Sequence, residues 1–335
     1  MTPATEATAG HPLPATGTPP RRPEAVRAVP VRHPGRWIAA VLVLAVAAQI
    51  VGTIVTAPSL SWNVVLNYLF HQRILEGALR TLELTAGAML MGIIGGVILA
   101  VMRLSPNPVV STVSWFYILF FRGTPVLVQI FFWFNLNTVL PHIGIGIPLT
   151  HLGLSADTNT LITPVMAVLF GLGFNEAAYM AEIVRAGIIS VEHGQTEAAQ
   201  ALGMRRLQVM RRIILPQAMR VIIPPTGNET ISMLKTTSLA VIAGGAVVEL
   251  FTTGEQIASA NFAIIELLFV VSAWYLVMTS VLTFGQYYIE RYFARGSQRE
   301  LPATPLQRFR RTLFTFHAPP PTAPDVATTL PRDRR

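Results

Sequence analysis

Six stretches of this chain are apolar enough and long enough to cross a lipid bilayer, and no other feature constrains its fold as strongly. Each crossing takes about 20 apolar residues, because a bilayer core is about 30 Å thick and an α-helix rises about 1.5 Å per residue. The stretches fall near 37–57, 74–102, 113–135, 162–187, 226–251 and 262–289. Only 13% of the residues are charged, against about 25% in an ordinary soluble domain. An all-α integral membrane protein with six spans is the expected fold. A cleaved signal peptide is the alternative for the first stretch, since Arg36 precedes it. The apolar run is longer than a usual signal core and follows a long basic tail, which favours an uncleaved span.

The arginines orient the spans. With the N-terminus in the cytoplasm, six crossings return the C-terminus to the same side. Arg21, Arg22, Arg27, Arg32 and Arg36 then lie inside, as do Arg103, the group Arg205, Arg206, Arg211, Arg212 and Arg220, and Arg291, Arg295 and Arg299. The opposite face carries Asp157 and Glu255, with Arg73 as the main cationic exception, so the positive-inside rule is obeyed. A formal charge of +8 suits nucleic acid or lipid, but here the basic residues flank apolar runs, which favours lipid and no nucleic acid. Residues 1–36 and 294–335, rich in proline and arginine, read as disordered cytoplasmic tails. The segment 58–73 reads as an external amphipathic linker, with Trp62, Tyr68 and Phe70 suited to the headgroup level. Residues 135–161, with Pro141, several glycines and Asp157, read as a loop. The chain has no cysteine, which excludes disulfides, thiol catalysis and zinc–thiolate sites.

Between the fourth and fifth apolar runs lies a basic yet amphipathic segment, 194–225. Leu202, Leu207, Met210, Ile213, Ile214 and Leu215 recur at helical spacings. Gly203 interrupts them and can take a positive φ, so two short helices can meet there in a tight bend. Pro216, Pro224 and Pro225 disfavour a continuous helix into the next apolar run. The simplest alternative is an interfacial helix lying on anionic lipid.

Glu197, Ala198, Ala199, Gly203, Ile213, Leu215 and Pro216 resemble, at every spacing, the EAA loop of permease subunits of bacterial ABC importers. The resemblance extends from about residue 75 to 295. Gly77-Ala78-Leu79-Arg80-Thr81-Leu82, Arg122-Gly123-Thr124-Pro125 with Val128-Gln129, Ala178-Tyr179 with Glu182-Ile183 and Arg185, and Asn228 with Leu234-Lys235-Thr236-Thr237-Ser238-Leu239 are similar to the polar amino-acid branch (histidine, glutamate, glutamine, arginine or opine type). The chain departs from the pattern at His193 and in the long loop 137–159. The resemblance implies a type I importer core of five helices over 74–293, with the EAA loop at 190–225 and 37–57 as an extra N-terminal transmembrane helix. It implies a multi-pass protein of the bacterial cytoplasmic membrane. Its partners would be a cytoplasmic ABC ATPase dimer docked on the EAA loop, a second permease chain (identical or homologous) and an external solute-binding protein. ATP and Mg²⁺ would be bound by the ATPase, leaving this chain without a cofactor.

Ionisable groups inside a bilayer are costly and often mark a substrate pathway. Arg122, Glu176, Glu229 and Lys235, the sole lysine, are such groups. Asn175, Glu176 and Tyr179 can share a helix face, and Asn228 completes the candidate set. Each has a structural alternative. Arg122 and Lys235 can snorkel or bond helix-terminal carbonyls, Asn175 and Glu176 can bridge helices, and Glu182 can simply pair with Arg185. Gly92, Gly95 and Gly96 suit close helix packing. His71, His142 and His151 have no metal-ligand spacing, so no metal is expected.

The sole lysine lies in an apolar run, so the chain lacks the GxxxxGK[ST] phosphate loop. No dinucleotide fingerprint or Ser-His-Asp arrangement is recognisable, so no catalytic residue is assigned. The reading is a permease subunit moving polar amino acids, with ATP hydrolysis on another chain. An ATP-independent secondary carrier that uses the intramembrane Glu and Lys as an ion relay is the alternative.

Overall fold

The computed structural model describes residues 34–146 and 153–293. The expected tails lie outside these residues apart from 34–36, which open the first helix; His151 lies outside them too. The chain divides within that helix, α1 (Pro34–Val55), into one unit up to Ile50 and another from Val51. Helix α1 is apolar, with no acidic residue in its first turn and no basic one in its last.

In the second unit a short helix, α2 (Trp62–Leu69), precedes the long α3 (Gln72–Arg103). Trp62 Nε1 donates to the Val55 carbonyl at 2.9 Å, fixing the entry to α2. Next come α4 (Pro108–Gly123) and α5 (Val126–Phe134), bent by 100° at the Thr124-Pro125 break. The expected third span, 113–135, is therefore a broken pair. Pro125 has no N–H to offer the carbonyl of Phe121, four residues back, so the helix cannot run through. The stretch read as a loop contains α6 (Leu136–Val139), an antiparallel pair β1 (His142–Gly146) and β2 (Gly153–Asp157), and α7 (Thr158–Leu161).

Helix α8 (Pro164–Ile189) matches the fourth apolar run and is followed by α9 (His193–Ala201) and α10 (Arg206–Val209). A π-helical turn, Met210–Ile214, leads into α11 (Leu215–Thr236). Contrary to expectation, α11 passes through Pro224 and Pro225. Membrane helices tolerate proline where neighbours occupy the released backbone groups. The carbonyls those prolines release are those of Arg220 and Val221; close by, Thr226 Oγ1 donates to the Ile222 carbonyl at 2.8 Å and Gln286 Nε2 of α13 to the Pro224 carbonyl at 3.2 Å, which ties this turn to its surroundings. The fifth expected span, 226–251, is also interrupted. A 3₁₀ helix, Thr237–Ala243, ends at Gly244 and Gly245, whose φ of 59° and 83° close the helical path, and α12 (Leu250–Asn261) restarts from Glu249. Helix α13 (Ile264–Phe293) closes the described chain. Among the described residues four helices are long and apolar enough to span a membrane, or five if the bent pair is one span.

Helix α8 is the centre of the bundle. Its Ala177 and Met180 press on Gly95 and Gly96 of α3, so close that a Cβ on either glycine would lie 2.9 or 2.4 Å from theirs. One apolar cluster joins Leu84 and Ala88 of α3 to Ile130 of α5 and to Val168 and Leu172 of α8. A second joins Ile74 of α3 to Leu234, Leu250, Leu267 and Val270. The short α2 is tied to α13: Trp274 Nε1 donates to the Leu69 carbonyl at 2.7 Å, and the Ser61 N–H to Glu266 Oε1 at 3.0 Å.

Candidate functional site

The segment 193–216 folds as the bend anticipated from Gly203. That glycine has φ 79°. Its N–H donates to the Gln200 carbonyl at 2.9 Å, and the Met204 N–H donates to Ala199 at 3.1 Å. This paired closure is a Schellman motif, in which a left-handed residue just past the helix satisfies the last carbonyls. Glu197 and Ala198 face outward, while Ala199 is buried within the loop. Leu202 and Leu207 flank the bend and are 84% and 77% exposed. Helical spacing put them on a greasy face; the fold leaves these two side chains uncovered, while Met210, Ile213 and Ile214 of the same face are half-buried. Ile213 is half-buried, and Leu215 and Pro216 are exposed at the start of α11. The π turn before them has a chemical cause. Pro216 cannot donate a backbone hydrogen bond, and the Leu215 N–H donates one residue further back than usual, to Met210.

The intramembrane candidates gather where α4, α8 and α11 approach one another. Arg122, in the last turn of α4, lies over the Tyr179 ring of α8 at 5.0 Å from its centroid, a cation–π contact. Asn175, one helical turn before Tyr179, donates from Nδ2 to the Phe121 carbonyl at 2.7 Å. Glu176 is only 4% exposed, and its Oε1 has no hydrogen-bond partner. Glu229 of α11 lies within electrostatic reach of both Glu176 and Arg122. A guanidinium and two carboxylates thus stand around one region, an arrangement able to receive a zwitterion or a cation. Charge-assisted hydrogen bonds are the strongest such a region can offer.

Two candidates stand elsewhere. Asn228 Oδ1 accepts from Gln286 Nε2 at 3.0 Å and so is engaged with α13. Lys235 is exposed, seven residues on along the same helix. Glu182 and Arg185 form an ion pair at 2.6 Å, as their structural alternative anticipated. Among the described residues no group of three or more metal-ligating side chains lies together.

Glu249, near the end of the fifth apolar run, is not among the residues singled out from the sequence. It is fully buried and caps α12, accepting from the N–H groups of Phe251 (2.8 Å) and Thr252 (2.6 Å). The hydroxyls of Thr252 (2.8 Å), Tyr275 (3.1 Å) and Thr81 (3.3 Å) also donate to it. The signal available beforehand was an acidic residue just before a helix, which is weak alone.

Residues 92–295 match the family model described as the binding-protein-dependent transport system inner membrane component. The chain is 47% identical over 286 residues to the arginine transport system permease protein ArgU of Corynebacterium glutamicum, covering 85% of this chain and 88% of that one. It is 33% identical over 218 residues to the glutamine transport system permease protein GlnP of Escherichia coli, covering 65% and 91%. Among solved structures, an amino acid ABC transporter crystallised with histidines superposes with a TM-score of 0.56 at 33% identity, over 66% of this chain and 94% of that one. These matches favour the ABC permease over the secondary carrier. The chain belongs to the inner-membrane components of binding-protein-dependent transport systems.

Proposed function

We propose that this permease subunit moves polar amino acids, those with cationic side chains above all, through the region bounded by Arg122, Glu176, Tyr179 and Glu229. The observation that carries the reading is the buried, unpartnered Oε1 of Glu176 near the Glu229 carboxylate. A buried carboxylate with an open acceptor is expensive to keep, and a transported ammonium or guanidinium offsets that cost while it passes. Arg122 receives the α-carboxylate. The names of the arginine and glutamine relatives support the same class of substrate. Asn228 and Lys235 belong to the wider pathway set, and Asn175, a pathway candidate by its spacing, borders it through its bond to the Phe121 carbonyl.

The remaining parts follow from the bend at Gly203. Glu197, Ala198 and the exposed Leu202 and Leu207 offer a docking surface to a cytoplasmic ATPase dimer, which holds ATP and Mg²⁺. Ala199, Gly203, Ile213, Leu215 and Pro216 hold its shape. A second permease chain encloses the path, and an extracytoplasmic solute-binding protein delivers the substrate. The arginine distribution supports cytoplasmic N- and C-termini. In this scheme 1–36 and 294–335 are cytoplasmic tails, 37–57 is an added helix, 58–73 an external linker and 74–293 the transport domain. The test is uptake by proteoliposomes holding this chain with its co-purified ATPase and binding protein. ATP should drive arginine uptake, and an ion gradient alone should not.

A further inference from the structure

The break between α4 and α5 leaves a specific carbonyl without a helical partner, and two side chains donate to it together. In an unbroken helix the Phe121 carbonyl accepts from the N–H of residue 125, which is proline and has none. Gln129 Nε2 donates to it at 3.0 Å and Asn175 Nδ2 at 2.7 Å. The same Gln129 nitrogen also reaches the Thr124 carbonyl (3.1 Å) and Thr124 Oγ1 (2.8 Å), while Thr124 Oγ1 donates to the Phe120 carbonyl at 2.9 Å. Gln129 is 5% exposed and its Oε1 is buried without a partner. The amide is therefore held for its N–H donors, at the cost of an unsatisfied acceptor.

The consequence falls on the next residue. Arg122 follows Phe121, and its guanidinium lies over Tyr179, four residues after Asn175 on the same face of α8. One face of α8 thus grips the backbone of Phe121 and the side chain of Arg122 together. We propose that Gln129 and Asn175 are positioning residues, a latch on the broken helix that sets the aim of Arg122, with Asn175 acting through the Phe121 carbonyl and not on the transported molecule. This rests on the reading of Arg122 as a pathway residue.

The absence of native cysteine allows a direct test in the full complex reconstituted with its ATPase and binding protein. Nitroxides placed by Val113→Cys and Phe132→Cys, both at exposed positions, report the angle of the break by pulsed electron-spin distance measurement. Arginine uptake gives KM and maximal rate. Asn175→Leu and Gln129→Met each remove the donor at similar size. Either should broaden the distance distribution and raise KM for arginine about tenfold, equivalent to about 1.4 kcal/mol. Arg122→Gln should raise KM with the distance unchanged, and adding Asn175→Leu to it should raise KM no further. Unchanged distance distributions in both donor variants overturn the latch. So does a KM effect of Asn175→Leu that persists undiminished beside Arg122→Gln, because Asn175 then meets the substrate itself. If Arg122→Gln leaves KM unaltered while the donor variants broaden the distances, the latch stands as the device that holds the break, and the pathway reading of Arg122 fails alone.

Discussion

Gly92 of α3 lies so close to Glu176 of α8 that a Cβ at position 92 would stand 2.3 Å from Glu176 Cγ and 2.7 Å from its Cβ. The missing side chain is the space through which the stem of the buried Glu176 side chain passes. A glycine that reads in the sequence as helix packing is thereby part of the candidate site.

Two alanine substitutions separate those roles. At Gly96 a Cβ would meet Met180 Cβ at 2.4 Å and backbone atoms of Met180 and Ala181 at 2.9 and 3.0 Å. Backbone cannot rotate aside, so Gly96→Ala should push α3 and α8 apart, with overpacking that costs about 1–3 kcal/mol. Gly92→Ala meets Glu176 Cγ and Cβ with the nearest backbone atom at 3.4 Å, so it should separate the helices less than Gly96→Ala and depress uptake more than stability. Melting of the detergent-solubilised complex, run beside uptake, checks the order; equal losses of stability in both variants would remove the distinction.

Glu176→Gln keeps the shape and removes the charge. Arginine uptake is expected to fall about tenfold or more, glutamine uptake less, with assembly intact. Competition uptake with arginine, glutamine and glutamate, alongside size-exclusion of the complex, reads both. Unaltered rate and selectivity would reduce Glu176 to a bridge between helices.

Position 203 has φ 79°, a region that β-branched residues rarely enter. Gly203→Val should leave the chain inserted but uncouple uptake from ATP hydrolysis, and Leu202→Asp should weaken ATPase co-purification by placing a charge on an exposed apolar contact. Substrate-stimulated ATP hydrolysis is the measurement. Normal stimulation in both variants would take the docking surface away from this bend.

Single cysteines report orientation, because the native chain has none. A cysteine at Asp157 should react with an impermeant maleimide on intact cells, and one at His193 only after permeabilisation. The opposite pattern would place the loop carrying Glu197 outside, where no ATPase reaches it.

Glu249 accepts five hydrogen bonds at the start of α12 and joins α3, α12 and α13 through them. Glu249→Leu strands several buried donors, each worth about 1–3 kcal/mol when left unpaired. The variant is expected to lose folded yield in membranes, whereas Glu249→Gln, which keeps an acceptor, should retain more of it. Comparable yields of the two would show that the network contributes little.

Local chemistry determined much of this protein in advance. Long apolar runs require helices in a bilayer, and α3, α8 and α13 lie within a few residues of their expected limits. Gly203, free of a Cβ, sits in the left-handed bend its chemistry allows, and the charges at Arg122, Glu176 and Glu229 were visible because lipid makes them costly. What the sequence left open were outcomes decided between helices. Pro125 breaks its helix while Pro224 and Pro225 do not, although all three lack an N–H. After Pro125 the chain turns by 100° and the freed Phe121 carbonyl is taken by Gln129 and Asn175. At Pro224 the helix continues, and Gln286 of α13 donates to the proline's own carbonyl. Asn175, a pathway candidate by its spacing, holds backbone in the fold, and Gly92 proves to be room for the stem of Glu176. In each case the deciding partner is distant in sequence, from eight residues for Gln129 to 84 for Glu176, and only the packed bundle brings it within reach.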